Sequence, residues 1–275
     1  LRPGTLTVIA GATGAGKTQL GLAWARRGEV DEGAEGVIID LTSRGDSQNH
    51  EIYSAAQRGR PLREHALDRR FEPAALWEPA PRPGSILRPF AHAGRRVTRP
   101  DMDPEAWHAW KSDMARVLRG SAAFLYSHFA RGTRRVVIDG LEPTEQAADS
   151  VQYDFVEYLH HHVLKQDDDW AAREVLREQY RAHEAMVLAH RYDHRQVATV
   201  VLSTTAEVLL DDLVAAPMTR GGLLATASTV ILMGRTAESG RLGRALCVVK
   251  HRGSACRDDF LPYTITGEGI VFPEK

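Results

Sequence analysis

Residues 5–25 read TLTVIAGATGAGKTQLGLAWA, and the fold follows from how this stretch divides. Leu6 to Ala10 is a short apolar run containing β-branched residues, which reads as a buried strand. Residues 11–18, GATGAGKT, fit G-x-x-x-x-G-K-[ST], the Walker A form of a phosphate-binding loop, and a helix is predicted from there to about Arg27. The strand before and the helix after separate this loop from a chance glycine-rich turn. Gly11, Gly14 and Gly16 let the backbone close round phosphate oxygens without Cβ clashes. The amides of the segment Ala12, Thr13, Ala15 and on to Gln19 at the helix start then turn positive potential toward an anion. Lys17 offers a mobile cation to the β- and γ-phosphates, and Thr18 a hydroxyl to Mg²⁺. The expected ligands are ATP and Mg²⁺.

Outward from the loop, GVIID (36–40), RRVVIDG (134–140), QVATVVLST (196–204), ASTVILMG (227–234) and RALCVVK (244–250) predict further strands, and short strands are predicted near the C-terminus. Between them lie helical patterns. One starts at Asp103-Pro104, one carries Val151, Phe155, Tyr158 and His162, and one runs through Leu176, Tyr180, His183 and Val187. Strands alternating with helices imply an α/β fold, a doubly wound and mostly parallel sheet flanked by helices, with antiparallel strands at the C-terminal end. Asp139 closes the apolar strand VVID and is expected beside Thr18, where it would hold the magnesium.

The 275 residues suit a single domain, 1–275, with a net formal charge of -1 that points to neither a nucleic-acid nor a membrane-surface binder. No 18-residue apolar run or signal peptide is visible, so a cytoplasmic protein is expected, with allowance for a segment upstream because the chain opens on the run-in to a strand. Cys247 and Cys256 read as reduced thiols, too few for a disulfide framework or a zinc site. An irregular basic insertion is expected at about 44–103, since residues 58–100 hold ten arginines against four acids and show no periodicity. An acidic helical segment is expected at about 142–193.

The C-terminal RALCVVKHRGSACRDDFLPYTITGEGIVF (244–272) resembles the end of the RecA-like core in the circadian-clock ATPase KaiC and its relatives. There a strand ending Lys-x-Arg-Gly-Ser/Thr precedes a Pro-aromatic-x-Ile-Thr strand. The stretch LRPGTLTVIAGATGAGKTQLGLAWA and the strand RRVVIDGLEP are similar to the same family's phosphate loop and magnesium-Asp strand. The resemblance implies a RecA-like fold and a homo-oligomer, a hexameric ring or filament, with ATP between subunits. It also implies that Lys250 and Arg252 reach the neighbour's γ-phosphate. Cys256 stands where the family often has a His. RecA- and KaiC-type domains usually carry a catalytic Glu just beyond the second strand, but here Thr42 and Ser43 fill those positions. Asp40, Asp46 and Glu142 are the alternative carboxylates, and hydrolysis is expected to be slow.

Two other readings stay open, a DNA-dependent recombinase or ring helicase and a non-hydrolysing ATP-bound scaffold. Loop regions 141–154 and 205–222 are acid-biased, which disfavours a DNA channel. The arm at 58–100, with Arg58, Arg60, Arg63, Arg69, Arg70, Arg95, Arg96 and Arg99 and the aromatics Trp77 and Phe90, could bind nucleic acid, but is better read as packing on acidic helices or a protein partner. Thr204 or Thr205 at the end of the fourth strand could sense a γ-phosphate. His190 and His194 at i,i+4 are too few to make a metal site.

Overall fold

The computed structural model describes residues 1–42, 49–57, 61–67, 72–78, 85–90, 99, 102–143, 149–216, 222–238, 240–257 and 259–273. Its centre is a nine-stranded sheet. In chain order the strands are β1 (Leu6–Gly11), β2 (Val37–Asp40), β3 (Glu64–His65), β4 (Ile86–Leu87), β5 (Arg135–Leu141), β6 (Ala198–Thr204), β7 (Thr229–Glu238), β8 (Arg241–His251) and β9 (Leu261–Pro262). They lie in the spatial order β3-β4-β2-β5-β6-β1-β7-β8-β9. Pairing is parallel from β3 through β7 and antiparallel across β8 and β9, and a separate antiparallel pair, β10 (Thr264–Thr266) and β11 (Gly269–Val271), ends the chain. The fold is therefore the α/β sheet with antiparallel C-terminal strands that the sequence predicts. The Pro/Arg-rich insertion adds to it, because β3 and β4 extend the β2 edge.

Strand alternation sorts the core. Ile9, Ile38, Val137, Val200 and Leu202 face helix α1 (Lys17–Glu32) through Leu22 and Ala25. Val8, Val37, Ile39, Val136, Ile138 and Val201 face the other layer, where α3 (Pro104–Ala130), α4 (Val151–Leu159) and α5 (Asp168–Leu176) contribute Phe124, Phe129, Phe155 and Leu176. Successive side chains of a strand point to opposite faces, so a fully apolar strand requires helices on both. α1 runs past the predicted Arg27 because Arg135 anchors its last turn, with Nη2 2.6 Å from Asp31 and 2.7 Å from Glu32 while the guanidinium covers Trp24.

Four expectations are corrected. The helix predicted through Leu176 and Val187 is two, α5 and α6 (Tyr180–Ala189), joined by a 3-10 turn at Arg177–Gln179 with Arg177 at φ 51°. The periodicity records which face is buried, and a short tighter turn preserves it. α4 similarly ends in a π turn, His160–Leu164, which brings Leu159, His160, Val163 and Leu164 all inward. His190 caps the end of α6 and His194 lies in a later 3-10 turn, so the two share no helix. Trp77 and Phe90 are core residues rather than stacking platforms: Trp77 lies edge-on to Tyr126, and Phe90 packs on Phe155 at 5.3 Å. Arg131 pins the Trp77 segment by donating to the carbonyls of Ala75, Leu76 and Glu78. Arg63 and Arg99 are described; the other six arginines singled out in the arm lie outside the described residues, as do Ser43 and Asp46. Among the described residues no helix is long and apolar enough to cross a membrane.

His160 sets an acid limit on stability. Its ring is buried, Nδ1 has no partner, and burial together with Lys165 and His161 lowers its pKa from 6.5 to about 4. Between those values the unfolded chain takes a proton that the folded chain refuses, so stability falls as pH drops from 6.5 toward 4. His160→Gln should remove about 2 kcal/mol of that fall, allowing for partial solvent screening. Urea unfolding at both ends of this range, on both proteins, checks it.

Candidate functional site

The site lies at the C-terminal ends of the parallel strands, where open α/β sheets bind ligands. β1 runs into the loop, and the three glycines serve different needs. A Cβ on Gly11 would come within 2.0 Å of the Met233 carbonyl oxygen, so the close approach of β7 by itself requires glycine there. Gly14 has φ 79° with open space beyond its Cα, the cradle position proper. Gly16, at φ 93°, meets Ile265 and Ile270 of the β10–β11 hairpin, which closes one side of the loop. Tyr263 ties the hairpin down by donating its hydroxyl to the Ala15 carbonyl at 2.5 Å.

α1 begins without a side-chain cap on Gly16, whereas Asp103, Ser150 and Asp167 cap α3, α4 and α5. Its first amides thus keep unanswered positive potential at the loop. Lys17 is buried, and its Nζ donates to the carbonyls of Gly11 at 2.7 Å and Ala12 at 3.0 Å. Desolvation, offset in part by Asp139, lowers its pKa from 10.5 to about 8. A buried ammonium whose two contacts are neutral carbonyls suits an incoming anion. The Gln19 backbone carbonyl accepts from Gln57 Nε2 at 3.0 Å, and its side-chain Oε1 is buried without a partner.

Thr18 donates to Asp139 Oδ2 at 2.7 Å, joining α1 to β5 across 121 positions of sequence. Asp139 also accepts from the Gly140 amide at 2.7 Å. One hydroxyl and one carboxylate side by side fit Mg²⁺, which takes few protein oxygens and completes its shell with water and phosphate. Among the described residues no cluster of three or more His, Cys, Asp or Glu is arranged to hold a metal.

Asp40 is the register partner of Asp139 on the adjacent strand and is fully buried. Its Oδ1 accepts from the Thr42 amide at 3.0 Å and hydroxyl at 2.7 Å, and its Oδ2 from Arg88 Nε at 3.3 Å. Arg88 also holds Glu64 at 2.7 Å and Glu51. Between the two aspartates sits His50, at the start of α2 (His50–Ala56), with Nε2 3.0 Å from Asp139 Oδ2 and Nδ1 3.5 Å from Asp40 Oδ2. Burial pushes the imidazole down, but the bond to Asp139 and the charges of both aspartates outweigh it and raise the pKa. Asp40, an alternative carboxylate in the sequence, thus has both oxygens engaged in holding β2, α2 and the insertion together. Glu142 follows β5, and its backbone amide donates to Gln152 Oε1 at 3.1 Å.

No protein-family model matches the chain, and no curated protein does.

At the far edge, Lys250 and Arg252 lie at the tip of β8. Lys250 Nζ donates to the carbonyls of Leu224 and Ala225 at 2.9 and 3.0 Å, at the end of α8 (Gly222–Thr226), and Arg252 reaches Ala225 at 3.4 Å. The Arg252 amide also donates to the Ser228 carbonyl at 2.9 Å. Desolvation and the Arg252 charge lower the Lys250 pKa. The Thr205 amide donates to the Gly11 carbonyl at 3.1 Å, which brings the end of β6 against the loop. The structure therefore gathers Gly11, Gly14, Gly16, Lys17, Thr18 and Asp139 into one cradle and sets Lys250 and Arg252 on a separate tip. No motif or periodicity points to His50 or Arg88, whose roles come from contacts 89 and 48 residues away. Tyr263 stood in the quoted Pro-aromatic-x-Ile-Thr run, although its bond to the loop was not foreseen.

Proposed function

We propose that this chain is a RecA-like, KaiC-related ATPase of slow turnover that binds Mg-ATP and uses it at subunit interfaces to control assembly or conformation. The observation that carries the reading is the Thr18–Asp139 hydrogen bond at 2.7 Å beside a desolvated Lys17 and an uncapped helix N-terminus. In this reading Lys17 and the loop amides hold the phosphates, and Thr18 and Asp139 hold the magnesium. The bound ion neutralises phosphate charge. Slow turnover follows from Asp40 being tied to Thr42 and Arg88, and from Thr42 standing where the family's carboxylate is expected. A positioned general base contributes about 10²–10⁴ in rate.

Lys250 and Arg252 are proposed to act in trans, on nucleotide held by a neighbouring copy. Their described side-chain hydrogen bonds go to backbone carbonyls, which a second copy's phosphate would outcompete as a charged acceptor. The expected result is a rise in particle mass on adding Mg-ATP. Arg252→Ala should lose that rise while keeping ATP affinity within about fivefold. Light scattering and equilibrium binding on both proteins check it. A chain that binds ATP but stays solitary overturns the interface role, and a chain that binds no ATP overturns the whole reading. Burial of Trp77 and Phe90 removes the aromatic half of the nucleic-acid alternative.

A further inference from the structure

A second cavity lies on the sheet face opposite α1. It has a volume of about 230 Å³ and is floored by Val8, Ala10, Val230 and Leu232, with α7 (Leu210–Ala215) and α8 forming its walls. A dry apolar cavity of about 150 Å³ accommodates benzene, so this one has room for a fused two-ring aromatic. Its polar groups sit at one end, at the tip of β6. There Tyr153 and Ser203 hydrogen-bond to each other, Thr205 donates to the Glu207 carbonyl at 3.2 Å, and Glu207 is the one charged residue among the described lining residues. Among the described residues the lining holds no Lys, Arg or His. An anionic guest would meet an acid with no compensating cation, whereas a neutral or cationic guest would not.

We infer that this cavity is a binding site for a flat two-ring aromatic bearing a hydrogen-bond donor or an amine, with the ring against the sheet and the polar group at the Tyr153–Ser203–Glu207 end. The cavity adjoins the phosphate loop at the tip of β6, where the Thr205 amide donates to the Gly11 carbonyl, but lies on the sheet face opposite α1 and does not depend on the nucleotide reading.

The test is calorimetric titration of the full chain at neutral pH with three probes sharing one ring: indole, tryptamine and indole-3-acetate. Tryptamine should bind with a dissociation constant of about 0.1 mM, in line with a ligand of this size. Indole should bind more weakly, and indole-3-acetate at least about tenfold more weakly than tryptamine. Ala216→Trp, which fills the cavity from its wall, should abolish binding of all three. Glu207→Gln should cut tryptamine binding toward that of indole and leave indole unchanged. If Ala216→Trp does not give the native circular dichroism, the probe ranking and Glu207→Gln decide. The proposal is overturned by no binding of any probe at about 5 mM, by binding that survives in a folded Ala216→Trp, or by equal affinity for the cationic and anionic probes.

Discussion

Lys17→Met should lose ATP binding and gain stability at once. The ammonium is buried on two carbonyls, and its pKa of about 8 records what desolvation costs the charged form. A shift from 10.5 corresponds to about 3 kcal/mol at neutral pH. Methionine keeps most of the volume and removes the charge. The two carbonyls keep other donors, since Gly11 also accepts from the Thr205 amide and Ala12 from the Ala15 amide. After allowing for two lost hydrogen bonds, the nucleotide-free variant should be about 1 kcal/mol more stable than the wild type. Removing a charged partner from bound phosphate should lower ATP affinity by at least about 100-fold. The wild type should also become more stable as pH rises from about 8 to 10.5, because over that range the unfolded chain holds a proton that folded Lys17 has released. The variant should lack this rise. Urea unfolding across that range and equilibrium ATP binding test both halves. Undiminished ATP affinity sinks the cradle, and a variant less stable than wild type at neutral pH sinks the desolvation argument.

The parts of this site that were legible in the sequence are those written locally. The strand, loop and helix of residues 6–32 follow one another in the chain, and an acid at the end of an apolar strand is visible at Asp139. Their meeting was predictable because a parallel sheet brings strand ends together. The glycine pattern is legible as a loop, but the close approach of β7 that also demands glycine at position 11 is visible only in the folded sheet. Composition misled in the insertion. Its prolines and arginines describe the average, yet Trp77 and Phe90 are single side chains that the core takes in, and β4 pairs with β2 through only two residues. His50, Arg88 and Tyr263 were beyond reach because each acts on a partner that only the folded sheet brings near.

His50→Leu should be the most destabilising single substitution at the site. Asp40 and Asp139 are direct neighbours across β2 and β5, both buried, and the imidazole lies between them. Without it two like charges face each other out of water. Breaking a buried ion pair costs about 3–5 kcal/mol, and the low end is expected here because Arg88 still holds Asp40 while Thr18 and Gly140 still hold Asp139. The loss should depend on pH. The His50 pKa is raised in the folded state, so its contribution is fully present below the unfolded value of 6.5 and fades as pH climbs through the folded value. The gap between wild type and variant should therefore be widest below pH 6.5 and narrow as pH climbs through the folded value. Mg²⁺ should stabilise the variant more than the wild type, since a cation at Thr18–Asp139 would supply the charge that the imidazole no longer provides. Unfolding curves at several pH values, with and without Mg²⁺, read both effects. A gap that stays the same at every pH would mean that His50 only fills space, and that the two aspartates are reconciled by Arg88 and Thr18 alone.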